Sequence, residues 1–220
     1  MHPKVVILLL TKGRVPYTLR VIHTIEANLK YDNYSYYVAD GGSSDADMFE
    51  VLDLIVDYGA DVKYHHKNLT AGANWNRGIK SIYNSDADIY LRMENDFELG
   101  EPLDILPYVR VLEDKLLDIG CVRLGLLPIR LDIQTHGFEG RIYQEILKMR
   151  QYTWSGNPCL VHKRFHKDYG YFSEKQISPG DAELSLDHKV RSNNGSRVWR
   201  PNELGDYGPF KHIGMEQSDF

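Results

Sequence analysis

The sequence predicts an α/β fold in which a mostly parallel central sheet is flanked by helices. Three observations predict it. Short apolar runs have the pattern of strands covered on both faces. They alternate with segments whose apolar residues recur at helical spacing, the repetition that builds parallel sheets. Three of the runs stop abruptly in polar, chemistry-bearing residues, as strands do at the carboxyl rim of an open parallel sheet.

Residues 5–10, Val-Val-Ile-Leu-Leu-Leu, are the first such strand. Pro16 opens a helix carrying Leu19, Ile22, Ile25 and Leu29 on one stripe. Residues 34–39 read as the second strand. Ser44 and Asp45 cap the next helix, Met48, Val51, Leu52 and Ile55 form its stripe, and Gly59 ends it. Residues 62–65 are a short strand, 71–82 a third helix and 89–93 a fourth strand. The second half is less regular. Residues 102–117 look helical, with Pro107 expected to kink or split the helix. Residues 120–124, 159–161 and 197–200 read as strands and 181–191 as a helix, whereas 130–153 have no clear period. From Pro201 onward the chain is rich in Gly, Pro and charge and reads as a loop.

The 220 residues suffice for one α/β domain with a sizeable core, or for two halves sharing one sheet. A net charge of -5 with both signs intermixed argues against non-specific grip on a polyanion, although it leaves room for a local basic groove. Cys121 and Cys159 fit no metal spacing and lie in apolar stretches, which suggests two buried thiols in a reducing compartment. No apolar run is long enough to span a bilayer. Residues 1–10 run straight into a strand without a cleavage-site pattern, so the expectation is a cytoplasmic protein without a transmembrane segment. The glycosylation-like triplets at Asn33, Asn68 and Asn194 are then chance matches.

The chemistry-bearing residues fall at the strand ends: Thr11-Lys12, Asp40-Gly41-Gly42-Ser43-Ser44-Asp45 and Glu94-Asn95-Asp96. On a parallel sheet these share one rim. Ser44 and Asp45 read as a turn and helix cap, while Asp40, at the strand tip, can accept hydrogen bonds from a nucleobase or ribose. Glu94 and Asp96 can share a hard cation that bridges a diphosphate. The plain alternative is a solvated acidic turn.

The ordered set of motifs resembles a family 2 glycosyltransferase of the GT-A fold, over most of the chain from Val5 to about Trp199. The Asp40–Asp45 stretch resembles that family's Asp-Asp-Gly-Ser-x-Asp. Asn68-Leu69-Thr70-Ala71-Gly72-Ala73-Asn74-Trp75-Asn76-Arg77-Gly78-Ile79 resembles its Asn-x-Gly…Ala-x-Asn-x-Gly-Ile, and Glu94-Asn95-Asp96 its Asp-x-Asp. Gly170-Tyr171-Phe172-Ser173-Glu174 and Gly180-Asp181-Ala182-Glu183-Leu184 resemble its Gly-x-Phe-x-Glu and Glu-Asp-x-Glu-Leu.

The resemblance implies a Rossmann-like nucleotide-sugar-binding half in residues 1–98 and an acceptor-binding half in 99–220 with a flexible tail. It implies a divalent cation, Mn²⁺ or Mg²⁺, and a nucleoside-diphosphate sugar as donor, most simply a UDP-sugar. Thr11, Asp40 and Asn76 would line the nucleotide pocket. Asp96 and Glu94 would make the metal and ribose contacts, and Asp181 would be the general base for an inverting transfer. Glu183 would act behind it or touch the acceptor. His212, in the tail after the last strand, can complete a metal shell or be a surface histidine, and Lys211 can instead touch the diphosphate. Tyr152, Trp154 and Tyr171 lie in the half that would meet the acceptor, which can be a saccharide, a lipid-linked glycan, a protein or a modified nucleic acid. Glu94, Gly41, Trp75 and Gly180 depart from the family pattern, which leaves the choice of nucleotide open. Two rivals remain. A sugar-phosphate nucleotidyltransferase would need a richer Gly and Lys/Arg loop than Thr11-Lys12-Gly13-Arg14. A catalytically silent nucleotide-sugar-binding protein would not need both Asp96 and Asp181.

Overall fold

Val5, Ile7, Leu8 and Leu9 are completely buried, and this places the first strand, β1 (Val5–Thr11), in the middle of the sheet. The computed structural model describes residues 2–125, 158–175, 179–192, 198–199, 201, 204 and 208–214. Helix α1 (Val15–Asn28) and a two-residue strand β2 (Leu29–Lys30) lead from β1 to β3 (Tyr34–Asp40). Helix α2 (Asp45–Asp57), strand β4 (Val62–His66), helix α3 (Ala71–Tyr83) and strand β5 (Ile89–Glu94) complete the regular alternation. Then follow β6 (Phe97–Leu99), β7 (Leu103–Asp104), α4 (Leu106–Glu113), β8 (Cys121–Arg123), β9 (Cys159–His162), α5 (Arg164–Tyr169), α6 (Pro179–Ser192), β10 (Val198–Trp199) and β11 (Phe210–His212).

Among the described residues the main sheet has seven strands in the order β10-β8-β9-β5-β1-β3-β4. All but β9 run in the same direction, so the sheet is mostly parallel as expected. Such strands are joined by helices that cover the faces and bury both sides of the central strands. The α2 cap expected at Ser44 is a full capping box: Ser44 accepts from the Asp47 backbone, and Asp47 accepts from that of Ser44. Helix α3 lies tight on β1 because residue 78 is glycine; a Cβ there would come within 2.4 Å of Leu8 Cδ1. Cys121 and Cys159 are free and completely buried on neighbouring strands.

Two expectations fail. Pro107 neither kinks nor splits a helix over 102–117; it sits in the first turn of the shorter α4, where its missing N–H breaks no bond. The preceding residues form β7, which pairs with β2. The chain after Pro201 is not all loop, because β11 pairs antiparallel with β6. Residues 130–153, and parts of the 197–200 strand and of the tail, lie outside the described residues. Among the described residues no helix is long and apolar enough to cross a membrane.

His166 gives this half a pH-sensitive core. Its Nδ1–H donates to the Gly170 carbonyl at 2.8 Å, so Nε2 accepts from the Tyr90 hydroxyl at 2.5 Å. Burial pushes its pKa down to about 4; the Gly170 bond opposes this, and Arg92 and Lys189 add to it. Between about pH 6.5 and that value the unfolded chain binds a proton that the folded chain refuses. Stability therefore falls as pH drops through this window. In His166→Gln the slope of unfolding free energy between pH 6.5 and 4.5 is expected to flatten by up to ~1.4 kcal/mol per pH unit, read by urea titrations. An unchanged slope would show that His166 titrates equally in both states.

Candidate active site

Pairing register puts the three polar clusters on one rim. Thr11 lies opposite Asp40, Asp40 opposite His66, and Leu10 opposite Glu94. Asn95 then fastens the end of β5 to the loop after β1: its side-chain amide donates to the Gly13 carbonyl at 3.3 Å and to Thr18 Oγ1 at 3.1 Å. Gly13 and Arg14 in that loop both have positive φ, at 58° and 54°. For Arg14 this is a strained backbone of the kind concentrated at functional sites. It brings Arg14 Nη1 to 3.8 Å from Asp96 Oδ2.

Asp40 is completely buried, and its oxygens are occupied by the turn. Oδ2 accepts from the Gly42 and Ser43 backbone at 2.7 and 2.8 Å; Oδ1 accepts from Thr11 Oγ1 at 3.2 Å and from the Ser43 hydroxyl. This is the geometry of a residue that builds the rim. Thr11, itself buried, serves the same turn. Over Gly41 the space is taken by the Lys12 stem and Asn74, each 3.1–3.2 Å from where a Cβ would stand. Asn76 is likewise buried and used at both ends: its amide donates to the Phe172 carbonyl at 3.0 Å and to Glu174 Oε1 at 2.8 Å, and its oxygen accepts from the Phe172 N–H at 3.0 Å. It clamps α3 to the segment before α6.

Asp96 and His212 do meet. The β6–β11 pairing sets His212 opposite Phe97, and the Ile213 N–H donates to the Asp96 carbonyl at 2.8 Å. His212 Nε2 lies 3.4 Å from Asp96 Oδ2. The hydrogen bond to Asp96 raises the imidazole pKa against the opposing effect of burial. Gly214 allows the tail to close here, since a Cβ on it would stand 2.7 Å from Asp96 Oδ2. Asp96 Oδ1 and His212 Nδ1 are buried with no hydrogen-bond partner among the described residues. A carboxylate and an imidazole are both ligand types that hard or borderline divalent cations accept, and here they stand side by side. Among the described residues no group of three His, Cys, Asp or Glu side chains could hold a metal ion. A cation here would therefore draw its remaining ligands from water and substrate oxygens, as Mg²⁺ commonly does at phosphate sites.

Glu94 takes a different place. Arg92 Nη2 donates to Glu94 Oε1 at 2.8 Å and to Glu183 Oε1, near the start of α6, at 3.1 Å. Burial pushes Glu94 up to about 7; Arg92 opposes the rise, the Glu183 and Asp96 carboxylates add to it, and His212 opposes it. Through this bridge the beginning of α6, which contains Asp181, is brought to the end of β5. Lys211 is not brought in: neighbours on a strand face opposite sides, and its ammonium lies 3.8 Å from Glu98 Oε1. Tyr171 stacks on His166, and Tyr152 and Trp154 lie outside the described residues. Sequence reasoning missed Arg92 and Arg14; a lone arginine inside an apolar run was the available signal for the first. A cavity of about 250 Å³ between Lys4, Tyr37, Lys63 and Asp86 lies at the amino end of the sheet, away from this rim.

A mostly parallel sheet with polar clusters at its carboxyl rim is the fold this chain has in common with several solved glycosyltransferases. The chain shares that fold with a mannosyltransferase from Pyrobaculum calidifontis solved with GDP-Man and Mn²⁺: TM-score 0.65, 14% identity, over 91% of this chain and 55% of the other. S. aureus TarS 1-349 in complex with UDP-GlcNAc matches with TM-score 0.60 and 14% identity, over 90% of this chain and 56% of that one. The catalytic domain of Drosophila beta1,4galactosyltransferase 7, in complex with xylobiose, matches with TM-score 0.56 and 15% identity, over 97% and 71%. The chain thus spans little more than half the length of the first two. No family model and no curated protein sequence matches it.

Proposed function

We propose that the protein transfers a sugar from a nucleoside-diphosphate sugar to an acceptor hydroxyl, with inversion and with a divalent cation. The observation that carries this reading is the meeting of Asp96 and His212 at the carboxyl rim of the sheet, each with an unsatisfied buried atom. Residues 1–98 bind the donor and the remainder meets the acceptor. Asp96 and His212 would hold the cation. When bound, it supplies positive charge to the diphosphate as the leaving group takes up electrons. Arg14, 3.8 Å from Asp96, adds a fixed positive charge at the same place. The bond between the anomeric carbon and the diphosphate oxygen breaks while the acceptor oxygen bonds to that carbon from the opposite face. Asp181 takes the acceptor proton. β11 and Gly214 cover the cation side and keep water from the donor.

A thermal-shift screen of nucleoside diphosphates with and without Mn²⁺ tests the reading. One nucleotide, most simply UDP, is expected to raise the melting temperature by several degrees only when Mn²⁺ is present. At 100-fold excess over Kd, binding adds about 2.7 kcal/mol of stability. Stabilisation by nucleoside triphosphates with pyrophosphate release would instead select a nucleotidyltransferase.

A further inference from the structure

Arg92 has no task in the transfer reaction as written, yet its placement is costly. It lies in the interior of the central strand β5 and is 1% exposed. A guanidinium in a protein core is tolerated only when carboxylates and hydrogen bonds compensate its lost hydration. Here the compensation comes from two carboxylates, one near and one far along the chain. Glu94, two residues along the same strand, accepts from Nη2 at 2.8 Å. Glu183, 91 residues away near the start of α6, accepts from the same nitrogen at 3.1 Å. Burial disfavours the charge, but Glu94 and then Glu183 more than offset it, and the Arg92 pKa is raised.

The arginine is also fixed from the side. Its guanidinium carbon lies over the Trp75 ring, 4.2 Å from the centroid, and 5.6 Å from the centre of Phe172. Trp75 stacks on Phe172 with ring centroids 6.3 Å apart. Asn76 closes the same junction by holding the Phe172 backbone at both its N–H and its carbonyl. Strand β5, helix α3, the 172–174 segment and the start of α6 therefore meet at one charged group. A planar, always-charged cation that stacks and donates at once suits this junction; a lysine ammonium does neither in the same geometry.

We propose that Arg92 is a positioning residue. Through Glu183 it holds the helix start that carries Asp181 against the strand end that leads to Asp96, and so sets the distance between the proton acceptor and the departing diphosphate. The proposal rests on the transfer reaction above. Its chemical basis is that a displacement of about 1 Å at reacting groups can cost on the order of 100-fold in rate. Glu183 and Arg92 are not in contact with substrate in this account; they act through the helix.

The test uses Glu183, whose side chain is partly exposed and whose replacement leaves the core filled. Glu183→Ala removes the acceptor, while Glu183→Gln keeps an oxygen for Arg92. Initial rates are measured with UDP-GlcNAc, UDP-glucose and GDP-mannose as donors and a panel of p-nitrophenyl glycosides as acceptors. Amide hydrogen exchange of residues 179–186 is followed in parallel. In Glu183→Ala, kcat is expected to fall by about 30–100-fold with donor KM within threefold of wild type, and exchange at the start of α6 to accelerate at least tenfold. Glu183→Gln should restore most of both, and Arg92→Lys should lower kcat by roughly tenfold.

Rates within threefold of wild type in Glu183→Ala would overturn the positioning role. So would a loss that falls on acceptor KM alone, which would make Glu183 a substrate contact. Unchanged exchange would overturn the tether itself. A wild-type protein that turns over none of the donors would instead overturn the transfer reaction, and the catalytic part of the Arg92 role with it. Faster exchange in Glu183→Ala would then still identify the tether as a structural element.

Discussion

Asp181→Asn is expected to bind the donor as wild type does and to transfer sugar 10²–10⁴-fold more slowly, about the contribution of a positioned general base. Asp181 lies in the first turn of α6. An ionised carboxylate is the form that takes a proton. The start of the same helix is tied through Glu183 to Arg92, and Arg92 to Glu94. Asparagine preserves size and can still accept a hydrogen bond, so the helix start is retained and the loss reports basicity. The measurement is kcat and donor KM with one donor and one acceptor, beside calorimetric titration of the nucleoside diphosphate. A variant that keeps more than a tenth of wild-type kcat would move the proton acceptor elsewhere, and Glu183 would be the next residue to test. A variant that loses donor affinity and rate together would place Asp181 in donor binding.

The first half of the fold was legible because its signals are local. β1 is covered on both faces, and such a strand announces itself as an unbroken apolar run. The α2 cap was legible because a capping box needs only residues 44 and 47. Non-local features were not. β11 is three residues long and exists because β6 pairs with it, so nothing in its own composition separates it from a loop. Once it is a strand, its alternation decides what the sequence left open: His212 faces Asp96, and Lys211 faces Glu98. Arg92 read as an imperfection in a strand because one of its partners is 91 residues away. Asp40 shows the reverse limit. A carboxylate at a strand tip has the same spelling whether it faces a ligand or its own turn; only its partners reveal that it serves Gly42, Ser43 and Thr11. Pro107 was misjudged by one turn: the same ring that breaks a helix interior starts a helix well.

The second large effect belongs to Asp96. Asp96→Asn is expected to abolish Mn²⁺-dependent stabilisation by the nucleoside diphosphate and to lower kcat by about 10²–10³-fold, the scale of losing a fixed electrostatic partner of the leaving group. The substitution is nearly isosteric, so His212, Gly214 and the β6–β11 pairing keep their places, and what disappears is the negative charge that a cation requires. His212→Gln should have a smaller effect of the same kind, because it removes a ligand atom but no formal charge from the neutral-imidazole state. The order of the two losses matters. If the cation were held by Glu94 alone, Asp96→Asn would leave the Mn²⁺-dependent shift intact. Glu94 is a poor candidate for that role on physical grounds: its carboxylate is engaged by Arg92 at 2.8 Å, whereas Asp96 Oδ1 and His212 Nδ1 have no partner among the described residues. At Glu94 a cation would have to compete with a buried guanidinium of its own sign.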